Sequence, residues 1–268
     1  IIFFDKKNTS FASNEFKTFE VNSLYLEKSL SDWFWIISTA FFLLTPILLL
    51  ILTGFWGIFS LPTTIYLAAL NSFILSIFSG LLGVCIAVSL SNFVINLNLH
   101  SKYVEILSIF ILATSPIVMG TGLFLFLRPI ITFEIMTPIL VILINATMSL
   151  PFMLRIILPA INKVNDDTCK LTDSLNIKGF DRFKLITFPT IFPAISFSMG
   201  LGCALSMGDL GVITLFSFGD FQTLPLAIFR LMMSYKMDYA FSSSVLLIII
   251  CFSLFQLFDS LGKLYASH

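Results

Sequence analysis

The sequence predicts an all-α integral membrane protein of six transmembrane helices, and three observations carry that prediction. Of 268 residues, 57% are hydrophobic and only 11% are charged, whereas a soluble domain carries about a quarter charged residues. The mean hydropathy is +1.00. The charges are also clustered: 18 of the 30 fall within residues 1–32 and 163–184, which leaves long uncharged runs elsewhere. Such a composition excludes a soluble enzyme, a disordered tail and a disulfide-rich secreted module. With 15 basic against 15 acidic residues, no global field points to nucleic acid. Barrel strands are excluded as well, because these runs do not alternate polar and apolar residues.

The spans follow from where charge is missing. Between Asp32 and Lys102 lie 69 residues without Asp, Glu, Lys or Arg. One span needs about 20 residues, so this stretch holds two spans and a turn. Gly54–Gly57 and Leu61-Pro62-Thr63-Thr64 mark the turn, which sets span one near 33–53 and span two near 68–95. Ile106–Leu127 gives span three, Ile135–Leu154 span four, Leu185–Gly208 most of span five and Tyr239–Phe258 span six. Pro116 and Pro151 are expected to kink their helices, since each removes a backbone hydrogen bond. Gly80 and Gly83 in span two, with Gly200 and Gly202 in span five, permit close helix approach.

Lys and Arg in the loops set the orientation. With the N-terminus inside, twelve of them fall on inner segments and only Arg128, Arg230 and Lys236 on outer ones. Both ends are therefore expected in the cytoplasm. Residues 1–32 read as a cytosolic linker, 33–268 as the six-helix domain, and a chain opening on Ile1 as a segment of a longer polypeptide. Cys85, Cys169, Cys203 and Cys251 form no CxxC pair, and with only His100 and His268 available no Cys/His metal site is expected. Neither a GxxxxGK[ST] phosphate loop nor HExxH nor GxSxG occurs, so no catalytic group is expected in this chain.

Residues 163–184 form the one busy loop, with nine charges in 22 positions. Leu171 and Leu175, four apart, share one face of a short helix. Asn176 or Gly179 is suited to end it, since both tolerate the left-handed cap conformation. Phe180 and Phe183 then stand as aromatic anchors. This pattern suits docking into a partner's groove; a solvated loop resting its apolar residues on the membrane surface is the alternative.

Among polar residues inside the spans, Asp209 is the acid deep in an apolar run, flanked by Gly208 and Gly211. A mid-membrane charge costs about 2.5–3.5 kcal/mol on insertion scales, so it faces water or the bundle interior. It either lines a translocation path for a cationic solute or pairs with a polar group at a helix break. Asn145 and Ser149, four apart on span four, either hydrogen-bond another span or line the path. Arg155 is placed to snorkel to the inner surface. Asp259 and Lys263, one turn apart, form a surface pair.

The run Ser174–Pro189, SLNIKGFDRFKLITFP, resembles the coupling loop of ABC importer permeases. That family's pattern is Glu-Ala-Ala, three residues, Gly, nine residues, Ile, one residue, Leu-Pro. Registered on the proline, Ile186 and Pro189 match and Asn176 falls at the glycine. Lys170, Leu171 and Thr172 replace Glu-Ala-Ala, and Phe188 replaces the leucine. Asn145-Ala-Thr-Met-Ser-Leu-Pro-Phe-Met-Leu-Arg155, Ser206-Met-Gly-Asp-Leu-Gly-Val-Ile-Thr-Leu-Phe216 and Phe221-Gln-Thr-Leu-Pro-Leu226 are similar to the family's thiamine importers, in which two six-span halves are fused. The likeness is to the C-terminal half and covers roughly residues 68–260.

The resemblance implies a type I ABC importer permease-like bundle with a cytosolic coupling helix between spans four and five. It places ATPase coupling on the loop 159–188, at Leu171, Thr172, Asp173, Ser174, Leu175, Asn176, Ile177, Lys178, Gly179, Phe180, Ile186 and Pro189. It places Asp209, Asn145, Ser149 and Ser206 beside the translocation path, with thiamine or its phosphates as solute. The implied partners are a separate ATP-binding subunit, a second six-helix half, a periplasmic solute-binding protein and the lipid of a bacterial inner membrane. No cofactor is implied for this chain, ATP belonging to the ATPase. Permeases of the same class for ferric iron or polyamines share this layout. A structural or anchoring subunit of a membrane complex is the reading from another class, and it predicts no polar channel.

Overall fold

The computed structural model describes residues 30–96, 102–129, 133–174, 179–216 and 221–266. Among them every regular element is helical. Apolar side chains on all faces and backbone groups paired within each segment make helices the form that lipid tolerates. The chain divides at Leu50–Ile51 into two compact units. The first is supplied by α1 (Leu30–Gly54), whose Thr45 hydroxyl satisfies itself on the Phe41 carbonyl at 2.6 Å. Residues 1–29 of the expected linker lie outside the described residues, and helix is already established at Leu30.

A 3-10 turn, Trp56–Ser60, leads to α2 (Thr63–Asn96), which starts five residues before the expected 68. Thr63–Leu67 carry nothing that resists helix, so α2 extends back until Pro62 stops it.

Span three departs most from expectation. It is two helices, α3 (Lys102–Ala113) and α4 (Pro116–Leu127), meeting at 89°. Ser115 is extended, with φ −74° and ψ 135°, because the Pro116 ring disfavours helical backbone at the residue before it. Pro116 therefore breaks the helix, and takes the first position of the next one, where its missing N–H costs nothing.

Span four belongs to α5 (Phe133–Ser174), 42 residues long and continuous through Pro138, Pro151 and Pro159. It does not end at the membrane, and residues 163–174 continue it as helix rather than forming a helix of their own. Beyond Leu175–Lys178, which lie outside the described residues, α6 (Gly179–Arg182) passes into a π-helical turn at Phe183–Thr187 and then α7 (Phe188–Met207). Gly179 has φ +63°, a left-handed conformation that costs glycine little. Two short helices, α8 (Gly211–Phe216) and α9 (Leu224–Met233), precede α10 (Met237–Ala266). Its Asp259 and Lys263 form the expected pair.

Five described helices are long and apolar enough to cross a membrane, and the bent α3–α4 pair would make a sixth. Within the unit from Ile51 onward, α2, α5, α7 and α10 pack together. Ala87, Met153, Ile157, Ile191, Cys203 and Leu254 are buried between them. Gly202 marks a tight crossing: a Cβ there would lie 3.5 Å from the Gly80 Cα and 2.0 Å from the Met153 methyl carbon. The glycines of α2 and α7 thus let two backbones and the Met153 side chain share one point, as expected for Gly80 and Gly202. Aromatic pairs fasten α7 to α10, with Phe192 and Tyr265 rings 4.5 Å apart and Phe197 and Phe255 at 5.4 Å. Some buried serines satisfy themselves on their own helices, as Ser79 does on the Leu75 carbonyl and Ser198 on that of Ala194, which removes the cost of an unpaired hydroxyl, whereas the buried Ser91 hydroxyl has no partner among the described residues.

Candidate functional site

Where α7 ends at Met207 the chain turns through Gly208 and Asp209 into α8. The Asp209 Oδ1 accepts the Gly211 N–H at 3.1 Å, so one carboxylate oxygen fixes the turn. The other, Oδ2, is buried without a hydrogen-bond partner. Of the two sequence readings of this residue, the Gly211 bond matches the one in which it caps the helix break.

That residue lines a cleft of about 520 Å³ together with Asn145, Ser149 and Ser206. The four polar residues singled out in the sequence thus converge from α5 and the end of α7. Asn145 Nδ2 donates to the Ser206 carbonyl at 3.2 Å and to its hydroxyl at 3.0 Å. Of the two readings open for Asn145, the geometry shows the bond to another span, and the residue also lines the cleft. Ser149 donates to the Ala146 carbonyl of its own helix at 3.1 Å.

Thr114 and Pro116 form a further part of the cleft wall, with Met148 and Phe152 from α5. Sequence reasoning singled out none of the last three for this role, nor Thr114. The signal for Thr114 was the Thr-Ser-Pro triplet in an uncharged run, a local break with polar neighbours. Because α3 ends and α4 begins here, the negative end of one helix dipole and the positive end of the next meet at the same wall. Thr114 turns its hydroxyl onto the Ile111 carbonyl at 2.7 Å. The cleft is thus apolar over most of its area, with Asp209 as the acid among its lining residues.

The expected coupling residues stand apart from this cleft. Helix is established at Leu171, Thr172, Asp173 and Ser174, and Leu175, Asn176, Ile177 and Lys178 lie outside the described residues. Gly179 and Phe180 open α6, Ile186 belongs to the π-helical turn and Pro189 to the first turn of α7. Arg182 donates from Nη2 to the Asn165 Oδ1 at 2.7 Å, a bond that ties the two sides of the loop together. In the connection to α10, α9 is folded against α2. The Leu224 N–H donates to the Ser72 hydroxyl at 2.7 Å and Asn71 Nδ2 to the Gln222 carbonyl at 3.1 Å. Among the described residues no cluster of three or more His, Cys, Asp or Glu side chains is arranged to hold a metal.

No protein-family model matches the chain. Three relatives are each named thiamine transport system permease protein. That of Brucella abortus is 36% identical over 149 residues, 56% of this chain and 27% of the relative. That of Escherichia coli is 30% identical over 163 residues, 61% of this chain and 30% of the relative. The Haemophilus influenzae protein is 32% identical over 155 residues, 58% and 29% of the two chains. The matched stretch therefore spans less than a third of each relative's length. This all-α, multi-pass membrane chain is thus similar, over more than half of its own length, to the permease proteins of thiamine transport systems.

Proposed function

We propose that the chain is one translocation half of an ATP-driven importer of the bacterial inner membrane, with both ends cytoplasmic, and that it carries thiamine or its phosphates. The observation that supports this best is the cleft lined by Asp209, the one acid among its lining residues, together with Asn145, Ser149 and Ser206. Thiamine carries a fixed positive charge on an aromatic ring. The Asp209 carboxylate answers the charge, and the apolar wall, which includes Phe152, accepts the ring body.

Transport is driven from outside this chain. A separate ATPase subunit binds the segment 159–188, and this chain holds no cofactor itself. Closure of two ATPase copies on ATP moves that segment, and the Arg182–Asn165 bond makes its two sides move together. A second six-helix half completes the path, and an outer binding protein delivers the solute.

The test is uptake of radiolabelled thiamine by vesicles holding the complete importer, with unlabelled thiamine, ferric iron and polyamines as competitors. Thiamine alone should compete, and D209N should lower uptake about tenfold, the worth of one interaction of about 1.4 kcal/mol. Competition by iron or a polyamine would reassign the solute. Uptake unchanged when this chain is removed would leave it an anchoring subunit.

A further inference from the structure

The turn between α1 and α2 takes no part in the cleft at Asp209, yet its shape is closely specified. The apolar span of α1 ends at Gly54 and that of α2 starts at Thr63. The residues between them, Phe55–Pro62, therefore join two spans directly and stay close to the end of the hydrocarbon. Trp56 is 83% exposed and Phe59 87%, and with Tyr235 they are the most exposed large apolar side chains among the described residues. The turn is held from behind. A Cβ on Gly57 would collide with the Ser242 hydroxyl of α10, and one on Gly54 with the Phe241 carbonyl. The Tyr66 hydroxyl donates to the Ile58 carbonyl at 2.6 Å and the Ser60 hydroxyl to that of Gly57 at 2.9 Å. The Phe55 and Trp56 rings meet edge to face at 5.9 Å. Trp56 and Phe59 are thus presented outward by a fixed backbone.

We propose that this turn is a membrane-surface anchor, with the Trp56 and Phe59 rings seated in the headgroup layer of one leaflet. Two properties of the turn select that layer. Its side chains are apolar: Phe55–Pro62 reads FWGIFSLP and lies inside the 69-residue run without charge, so bulk water would leave two large rings unburied. Its backbone is weakly paired. The Ile58 N–H reaches the Phe55 carbonyl, and the Leu61 N–H the Ile58 carbonyl, only at 3.4 Å, and Pro62 has no N–H. Hydrocarbon does not tolerate backbone groups left in that state. The headgroup layer meets both demands, with water and polar groups for the backbone and apolar surface for the rings. Indoles concentrate there because they join an apolar body to one N–H.

The experiment compares the complete importer with its W56F variant in phospholipid vesicles and reads the difference in tryptophan emission, which isolates Trp56. That difference should be quenched about twofold more by lipid brominated near the headgroup end of its acyl chains than by lipid brominated near the chain terminus, as a ring at interface depth requires. Iodide present on both sides of the membrane should quench it less than the first lipid does. F59W on the W56F background should add an emission with the same order of quenching. Stronger quenching from the chain terminus would put the rings in the hydrocarbon core and overturn the anchor. Quenching mainly by iodide would put them in water, and protection from all three quenchers would put them against a protein; each overturns it as well.

Discussion

Asn145 of α5 donates its side-chain amide to both the carbonyl and the hydroxyl oxygen of Ser206 on α7, at 3.2 and 3.0 Å. This double bond of hydrogens crosses between two helices at the edge of the cleft. Bonds of this kind contribute about 0.6 kcal/mol each within membranes. N145A should therefore destabilise the bundle by about 1 kcal/mol, seen as a lower thermal midpoint of the purified complex. N145A should also lower uptake, because the amide fixes the wall on which Ser206 and Asp209 are placed. An unchanged midpoint would show that the bond is replaced by water.

At the Gly202 crossing the neighbour that must yield is the Met153 methyl, 2.0 Å from where a Cβ would stand. Met is flexible, so G202A should be tolerated at about 1–3 kcal/mol, the usual range for overpacking. M153A should relieve most of that penalty, which makes the two changes strongly non-additive in a double-mutant cycle. G202L should not assemble, as its side chain also meets the α2 backbone at Gly80.

The break at Ser115–Pro116 is a local property of the proline, so P116A should straighten it. Spin labels at Ile106 and Leu125 would sit about 20 Å apart across a right-angled bend and about 28 Å apart on one straight helix, from a rise of 1.5 Å per residue. Pulsed electron paramagnetic resonance reads this difference directly. A distance unchanged in P116A would mean that packing against α5, rather than the proline, holds the bend.

Docking of the loop is tested by placing Asp at Gly179 and Phe180. Gly179 has φ +63°, where a side chain costs about 1–2 kcal/mol, so G179D strains the backbone and F180D removes an aromatic anchor. Both should lower co-purification of the ATPase subunit and uptake together. Retention of both in F180D would sink the docking assignment. R182A, which frees Asn165, should leave co-purification intact and lower uptake per ATP hydrolysed.

The spans were legible because charge cannot enter lipid cheaply, and Asp32 to Lys102 or Ile135 to Leu154 needed no tertiary information. The polar set Asn145, Ser149, Ser206 and Asp209 was legible for the same reason, since polar groups inside apolar runs must converge on one another or on a solute. The bend after Ala113 was only half legible: Pro116 signalled a disturbance, but whether a helix kinks or turns a right angle depends on what packs beyond it. The continuation of α5 to Ser174 was hidden because charged residues mark the membrane's edge yet form helix well, so the end of hydrophobicity is not the end of helix. The inward fold of α9 was hidden too, since it rests on Ser72 and Asn71, some 150 residues away in sequence.

The unbroken run of α5 has a mechanical meaning. Met153, wedged at the Gly202 crossing, is a natural fulcrum on this rod. From there to Ser174 is 21 residues, about 32 Å, and back to Asn145 is eight residues, about 12 Å. A push of about 5 Å on the inner end would swing Asn145 about 2 Å the opposite way, by the ratio of those two arms. On the proposed coupling, those arm lengths would convert a large, weak stroke at the loop into a short, forceful one at the cleft wall.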